Sequence, residues 1–336
     1  MLKYIIRRIG YLFLVVLAMS IIMFVISHAL PGDPARVAAG GERATKVMIE
    51  AARERLGLDK PLYIQYFIYI KNLLHGDFGR SFSTNRPILD DLLEMLPASI
   101  ELTVFALIFA CLIGIPLGIT AAIHENTWVD NSLKAVSSFF VSMPDFWMGL
   151  LLILVFYGKL HLLPFTGRLG FISEPPPLIT GFFTIDSLLT GQFQIFGDAL
   201  LHLILPAITL GFVSIGFFSR MTRSSMVEVL KADYIRTAFG KGLPKKLIYY
   251  KHALRNAFIP VLTIIGLQLG NIVGGAVVIE TIFAWPGIGR YAVQAVENQD
   301  FPAIMGFAII YSLFYAIVNF AVDIISMFIN PRLRNQ

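Results

Sequence analysis

Five stretches of this chain contain no Asp, Glu, Lys or Arg: residues 9–32, 102–124, 199–219, 256–279 and 301–322. A sixth, 135–158, is interrupted by Asp145 alone. Each of the five holds at least 21 residues, and about 20 apolar residues in helical form cross a hydrocarbon core of roughly 30 Å. The pattern predicts six helices, at approximately 9–29, 99–123, 135–157, 200–219, 256–279 and 303–325. A soluble protein can bury one such run as a core helix, but six in one chain predict an all-α polytopic membrane protein.

Composition agrees with this reading. Hydrophobic residues make up 56% of the 336 and charged residues 15%, whereas soluble domains carry about 25% charged residues. The start, with Lys3, Arg7 and Arg8 ahead of an apolar run, could be a cleaved leader. The run exceeds the usual 7–15 residues of a signal core, so an uncleaved first span is the preferred expectation. The single cysteine, Cys111, lies in the second span and reads as a small packing residue.

An even number of spans places both termini on one face. Counted on that face, Lys and Arg number 15, against three in the short loops of the other (Lys159, Arg168 and Arg290). The nine between Arg36 and Arg86 lie in a segment long enough to escape the positive-inside rule. The expectation is a multi-pass membrane protein with both termini cytoplasmic. The net charge of +5 is then accounted for by topology and anionic membrane lipid, not by nucleic acid.

Between the spans the chain divides into a tail and first span (1–30), an outer helical segment (31–97), a transmembrane domain (98–328) with its basic loop at 220–255, and a cytoplasmic tail (329–336). In the outer segment a helix is expected over 45–56, stopped by Gly57, and another from Pro61 onward. The second carries Tyr63, Tyr66, Phe67, Ile70 and Leu74 on one face. That face could lie on the membrane, cover the mouth of a pathway, or pack on the spans, and packing is the expectation. Asp90-Asp91 reads as a solvated pair. Residues 158–199 form a second outer loop, stiffened by Glu174-Pro175-Pro176-Pro177. Gly266, Gly270 and Gly274 recur every fourth residue in the fifth span, as Gly114 and Gly118 do in the second. Such spacing allows close helix approach, and the fifth-span face either packs or lines a translocation route.

Catalytic patterns are missing. The six histidines are scattered, no Cys/His metal set or G-x-S-x-G turn occurs, and Gly240-Lys241 lacks the rest of a P-loop. The chain is expected to be non-catalytic and to bind no metal or cofactor, so any ATP and Mg²⁺ would sit on partner subunits. The charges in or near spans, Glu101, Asp145, Glu280 and Asp323, fall near span ends or beside proline. Capping or snorkelling is cheap there, which disfavours an ion-coupled carrier.

The basic loop 220–255 is too long for a simple connection. Asp233 can cap a short helix over 234–239, Gly240 and Gly242 can stop it, and Pro244 can start the next element. Such a helix with an apolar side suits a groove on a partner. Here Arg236-Thr237-Ala238 followed by Gly242 resembles the EAA loop of binding-protein-dependent ABC importers, in its peptide and nickel permease form. The stretches RSSMVEVL (223–230), DYIRTA (233–238), HALRNA (252–257), PGDP (31–34), HGD (75–77), ETIFAWPGIG (280–289) and NPR (330–332) are similar to the dipeptide-permease version. The general family has Glu-Ala-Ala where this chain has Arg236-Thr237-Ala238, and its Leu-Pro is replaced by Leu254-Arg255.

That resemblance implies a type I ABC importer permease fold with six transmembrane helices, in a bacterial or archaeal cytoplasmic (inner) membrane. It also implies a second homologous permease subunit, two ABC ATP-binding subunits and an extracytoplasmic solute-binding protein. Asp233, Tyr234, Ile235, Arg236, Thr237, Ala238 and Gly242 would couple to the ATPase. Dipeptides or short peptides are the expected solute, with nickel, glutathione or oligosaccharide as alternatives on the same machinery. A secondary carrier or channel working without an ATPase is the reading from a different class.

Overall fold

A computed structural model describes residues 2–29, 34–41 and 44–329, and these form helices with no strand among them. In chain order the helices are α1 (Leu2–Ala29), α2 (Pro34–Ala38), α3 (Lys46–Leu56), α4 (Leu62–Leu74), α5 (Ile88–Ile123), α6 (Trp128–Ser142) and α7 (Asp145–Leu152). They continue with α8 (Phe183–Leu189), α9 (Phe193–Leu230), α10 (Asp233–Gly240), α11 (Lys245–Leu247), α12 (Leu254–Ile282), α13 (Ile288–Glu297) and α14 (Phe301–Ile329). Wider π-type turns continue α7 at Ile153–Lys159 and lead into α12 at Ile248–Ala253. Residues 31–33 of the PGDP stretch, the NPR motif and the tail 330–336 lie outside the described residues.

Among the described residues, four helices are long and apolar enough to cross a bilayer: α5 with 36 residues, α9 with 38, the 38-residue run Lys245–Ile282, and 22 residues of α14. The predicted third span is corrected in shape. It is two helices, α6 and α7, meeting at 102°. The break falls at Met143-Pro144, both in extended conformation; proline has no N–H for the helix ladder and clashes with the preceding turn. The predicted first span lies on the 28-residue α1, whose shorter apolar part is Phe13–His28. The molecule is an all-α, polytopic membrane protein.

The chain divides into two compact units, one made of residues 1–97 and 286–317, the other of 98–285 and 318–336. In the first, α3 starts at Thr45, whose hydroxyl accepts from Met48 N–H at 3.4 Å, and stops at Gly57 with φ +68°. Helix α4 follows Pro61 and meets α1 through Tyr66 and Tyr69 against Phe24, Ser20 Oγ to Tyr66 Oη at 3.0 Å, and His28 Nε2 to Gln65 Oε1 at 3.0 Å. The expected packing of its whole apolar face is not found. Tyr63, Phe67 and Leu74 are 71–75% exposed, because they form a stripe one step round the helix from the stripe that meets α1. Asp91 is also corrected. It is buried, accepts from Thr84 Oγ1 at 2.7 Å and pairs with Arg86 at 3.3 Å, while Asp90 is exposed. Ile88, Leu92, Ile288, Tyr291, Ala295 and Ala303 form this unit's core.

Helix α9 is the central member of the second unit, with α5, α6 and α12 packed on it. Glycines permit the approach. A Cβ on Gly114, Gly118 or Gly211 would stand 2.7, 2.5 or 2.5 Å from the backbone oxygen of Ile215, Ser219 or Ala106. Glu101 and Glu280 are not snorkelling groups at span ends; both are buried. Glu280 accepts from Ser99 Oγ at 2.6 Å. Glu101 accepts from Arg168 Nη2 at 2.5 Å and from the Thr184 N–H and hydroxyl at 2.9 and 2.6 Å. Arg168 also donates to Gly181 O at 2.8 Å and stacks 3.5 Å over the Phe183 ring. Burial pulls the Arg168 pKa down, and the Glu101 carboxylate opposes that pull. This buried pair ties the connection between the π turn and α9 to the α5 helix.

Candidate functional site

The loop singled out in the sequence folds as an eight-residue helix, α10, held on one side only. Ile235 and Ala238, three residues apart and so on one face, are buried. They enter a cluster with Ile119 and Ala122 of α5, Met226 of α9, Ile248 and Ala253 on the way into α12, and Ala257 in its first turn. The other face is open. Arg236 and Thr237 stand there, while Tyr234 and Phe239 flank the buried stripe, 46% and 41% exposed.

Asp233 does not cap the helix. The cap position is Ala232, without a side-chain bond, and Asp233 is the first helical residue, its carboxylate 3.6 Å from Arg236 Nη1. It still favours the helix as an acidic group in the first turn. Thr237 returns its hydroxyl to Asp233 O at 3.0 Å, and Tyr234 Oη accepts from Asn256 Nδ2 at 2.8 Å. The far end closes at Gly242, whose N–H donates to Phe239 O at 2.9 Å and whose φ is +71°. That left-handed conformation is open to glycine at no steric cost. Pro244 then precedes α11 in an extended conformation.

An ionic clamp lies next to this helix in the chain's fold. Asp130 near the start of α6 is fully buried and accepts from Arg223 of α9 through two bonds, at 2.5 and 2.8 Å. Lys134 adds a contact at 2.8 Å, Asn126 N–H one at 3.0 Å, and Lys231 pairs with Glu125 at 2.8 Å. The short 124–130 connection is thus fastened to the end of α9 from which α10 departs. Sequence reasoning missed the clamp. Its one local signal was Thr127, which caps α6 and accepts from Asp130 N–H at 3.5 Å; nothing local links Asp130 to Arg223.

Comparison with known proteins gives this geometry its context. Residues 114–335 match the family model described as binding-protein-dependent transport system inner membrane component, and residues 1–103 match the model of that component's N-terminal region. The chain belongs to this family. Among its relatives, the "Probable D,D-dipeptide transport system permease protein" of Escherichia coli K12 is 48% identical over 97% of this chain and 96% of its own length. The di/tripeptide transport system permease protein of Pseudomonas aeruginosa is 43% identical over the full length of both. The glutathione transport system permease protein of an Escherichia coli O1:K1 strain is 38% identical over 99% of both.

In this inner-membrane component α10 falls within the stretch matched by the main family model. The fifth-span glycines occupy different surroundings. Gly266 is buried, and a Cβ there would collide with Val322 of α14. Gly270 is buried too, whereas Gly274 is exposed. The triplet therefore does not present one uniform face in the isolated chain.

Proposed function

We propose that the chain is the non-catalytic permease subunit of an ATP-driven importer, forming half of a membrane pathway for dipeptides or short peptides. The observation that carries this reading is α10: an eight-residue helix with Ile235 and Ala238 sunk among the ends of α5, α9 and α12, and with Tyr234, Arg236 and Phe239 projecting. A helix presented this way suits a groove on a partner subunit, and its buried face passes the partner's movement to the spans. The partners would be a second homologous permease subunit, two ATP-binding subunits that carry ATP and Mg²⁺, and a solute-binding protein on the opposite side of the membrane. The 15-to-three distribution of Lys and Arg supports α10 and both termini lying in the cytoplasm. Peptide as solute is supported by the names of the dipeptide and di/tripeptide relatives, with glutathione, the cargo named for a third, as the second reading. Gly274 is the member of the fifth-span triplet that would face the pathway.

The test is purification of the tagged chain in mild detergent, identification of what comes with it, and reconstitution in liposomes. ATP-dependent dipeptide uptake by a complex with a second permease and ATP-binding subunits is the expected result, and Arg236→Glu should abolish uptake. Uptake by the chain alone would overturn the proposal in favour of a secondary carrier.

A further inference from the structure

Among the described residues, one carboxylate inside the apolar segments is left without a partner. Asp145 is the only Asp, Glu, Lys or Arg between Lys134 and Lys159, and it opens α7 at the 102° bend. An aspartate at such a position would ordinarily cap the helix. Here the cap position is Pro144, no side-chain bond is made, and Asp145 Oδ1 is buried with no hydrogen-bond partner. An unpaired carboxylate in an apolar setting is strongly disfavoured, so this one calls for a ligand.

The neighbours fix where it sits. A Cβ on Gly275 of α12 would stand 3.8 Å from Asp145 Oδ2 and 3.5 Å from Leu210 of α9. Leu210 lies near the middle of the charge-free run 199–219 and Gly275 five residues before Glu280, so Asp145 lies within the apolar segments, toward the C-terminal end of the charge-free run in α12. One turn along α12, on the same ridge as Gly275, Asn271 donates to Gln268 Oε1 at 3.3 Å, and Ser214 of α9 donates to the same oxygen at 3.4 Å. Asn271 and Gly274 are exposed in the isolated chain, as are Pro144, Phe146 and Trp147 beside the carboxylate. A cluster of polar side chains thus lies one helical turn along α12 from the position that meets the unpaired carboxylate.

We infer that Asp145 is a solute-contacting site in the translocation route, and that its ligand is a primary ammonium such as the amino terminus of a peptide. The inference rests on the importer reading above. An ammonium offers three donors to one carboxylate and neighbouring amide or backbone oxygens. A metal ion would need more anionic ligands, and among the described residues no three His, Cys, Asp or Glu side chains cluster. The site would hold the solute weakly, as a step along the route requires.

The experiment uses the complete reconstituted importer and two probes, a dipeptide and its des-amino analogue. Any preference of the delivering protein is common to every variant and cancels in the ratio of the two uptake rates. Asp145→Asn should lower the dipeptide-to-analogue ratio about tenfold, the contribution of a charge-assisted hydrogen bond, while Asp145→Glu keeps most of it. In a Cys111→Ser background, Asp145→Cys should react with a water-soluble thiol reagent in one nucleotide state and be protected by dipeptide. An unchanged ratio in Asp145→Asn overturns the inference, as does a cysteine unreactive in every nucleotide state. Where the analogue is not taken up at all, the labelling result decides. Absence of ATP-dependent uptake by the wild-type complex would instead count against the importer reading itself.

Discussion

Replacing Ile235 with alanine tests whether α10 works because it is seated on the spans. The side chain is fully buried, and with Ala238 it is one of two that enter the core from a helix of eight residues. A helix that short is not stable by itself in water, so its position depends on this face. Truncating a buried isoleucine to alanine costs about 2–5 kcal/mol, from lost transfer energy and the cavity left behind. The lower end applies here, because α10 sits at the surface and can settle over a small cavity. About 2 kcal/mol lowers the ratio of docked to undocked helix roughly thirtyfold. Trypsin cutting after Arg236 or Lys241 in the purified complex reads that ratio, provided opening and closing are fast relative to cleavage. Ile235→Ala should be cut about thirty times faster and should hydrolyse ATP with little solute moved per ATP. Ile235→Val, which removes one methyl group, should show a small fraction of both effects. Wild-type cleavage and an unchanged transport-to-hydrolysis ratio in Ile235→Ala would refute the mechanical role of the buried face.

Arg168→Met should lower thermal stability in detergent by roughly 3–5 kcal/mol, because it strands the buried Glu101 carboxylate; adding Glu101→Gln should restore most of the loss, and an unaltered unfolding midpoint in the single variant would contradict this. Burial alone would raise the pKa of Asp186, yet the Thr180 hydroxyl and the N–H groups of Ile179, Thr180 and Gly181 hold it below the ordinary carboxylate range. A lowered folded value means stability that is present above about pH 4 and lost as the pH falls further. Asp186→Asn should therefore flatten the acid limb of a melting-temperature profile, and an identical limb would refute the assignment. Gly118→Ala should cost about 1–3 kcal/mol, since its Cβ would stand 2.5 Å from Ser219 O and 3.0 Å from Arg223 N. Gly240→Ala meets nothing within 4 Å and should be neutral within about 0.5 kcal/mol; thermal unfolding of the two side by side checks the contrast.

What the sequence made legible follows the range of the forces involved. Charge-free runs locate the long helices, because twenty apolar residues in a row are read from composition alone. Local stops were equally plain: Gly57 and Gly242 both take the left-handed conformation expected of a terminating glycine. The bend at Pro144 was less so, since a run broken by one aspartate fits a straight span as well as two short helices. Pairings across the chain left no local trace. Arg168 with Glu101 and Arg223 with Asp130 join residues 67 and 93 positions apart, and no member alone points to its partner. Asp145 was misread for the same reason. Beside a proline it resembles a helix cap, and only the fold shows that it caps nothing.

The packing of the second unit decides how a push on α10 would travel. Helix α9 approaches α5 through Gly114, Gly118 and Gly211 and approaches α6 through Gly216, at positions where a single added carbon would meet backbone oxygen at 2.5–2.7 Å. Surfaces in such contact cannot slide without first separating, and packed interiors are not continuously deformable. The Asp130 clamp adds a two-bond ionic tie between α6 and α9. On the proposed reading, force entering through Ile235 therefore moves α5, α9 and the start of α6 as one block. Strain is relieved where the α-helical ladder is already interrupted. In this unit those places include the π turn leading into α12 and the break at Met143-Pro144. The second of these joints carries Asp145. A movement that begins at the exposed helix would thus be expressed as a change in angle at the unpartnered Asp145 carboxylate, so that its proposed grip on a passing ammonium varies with the state of the ATP-binding partners.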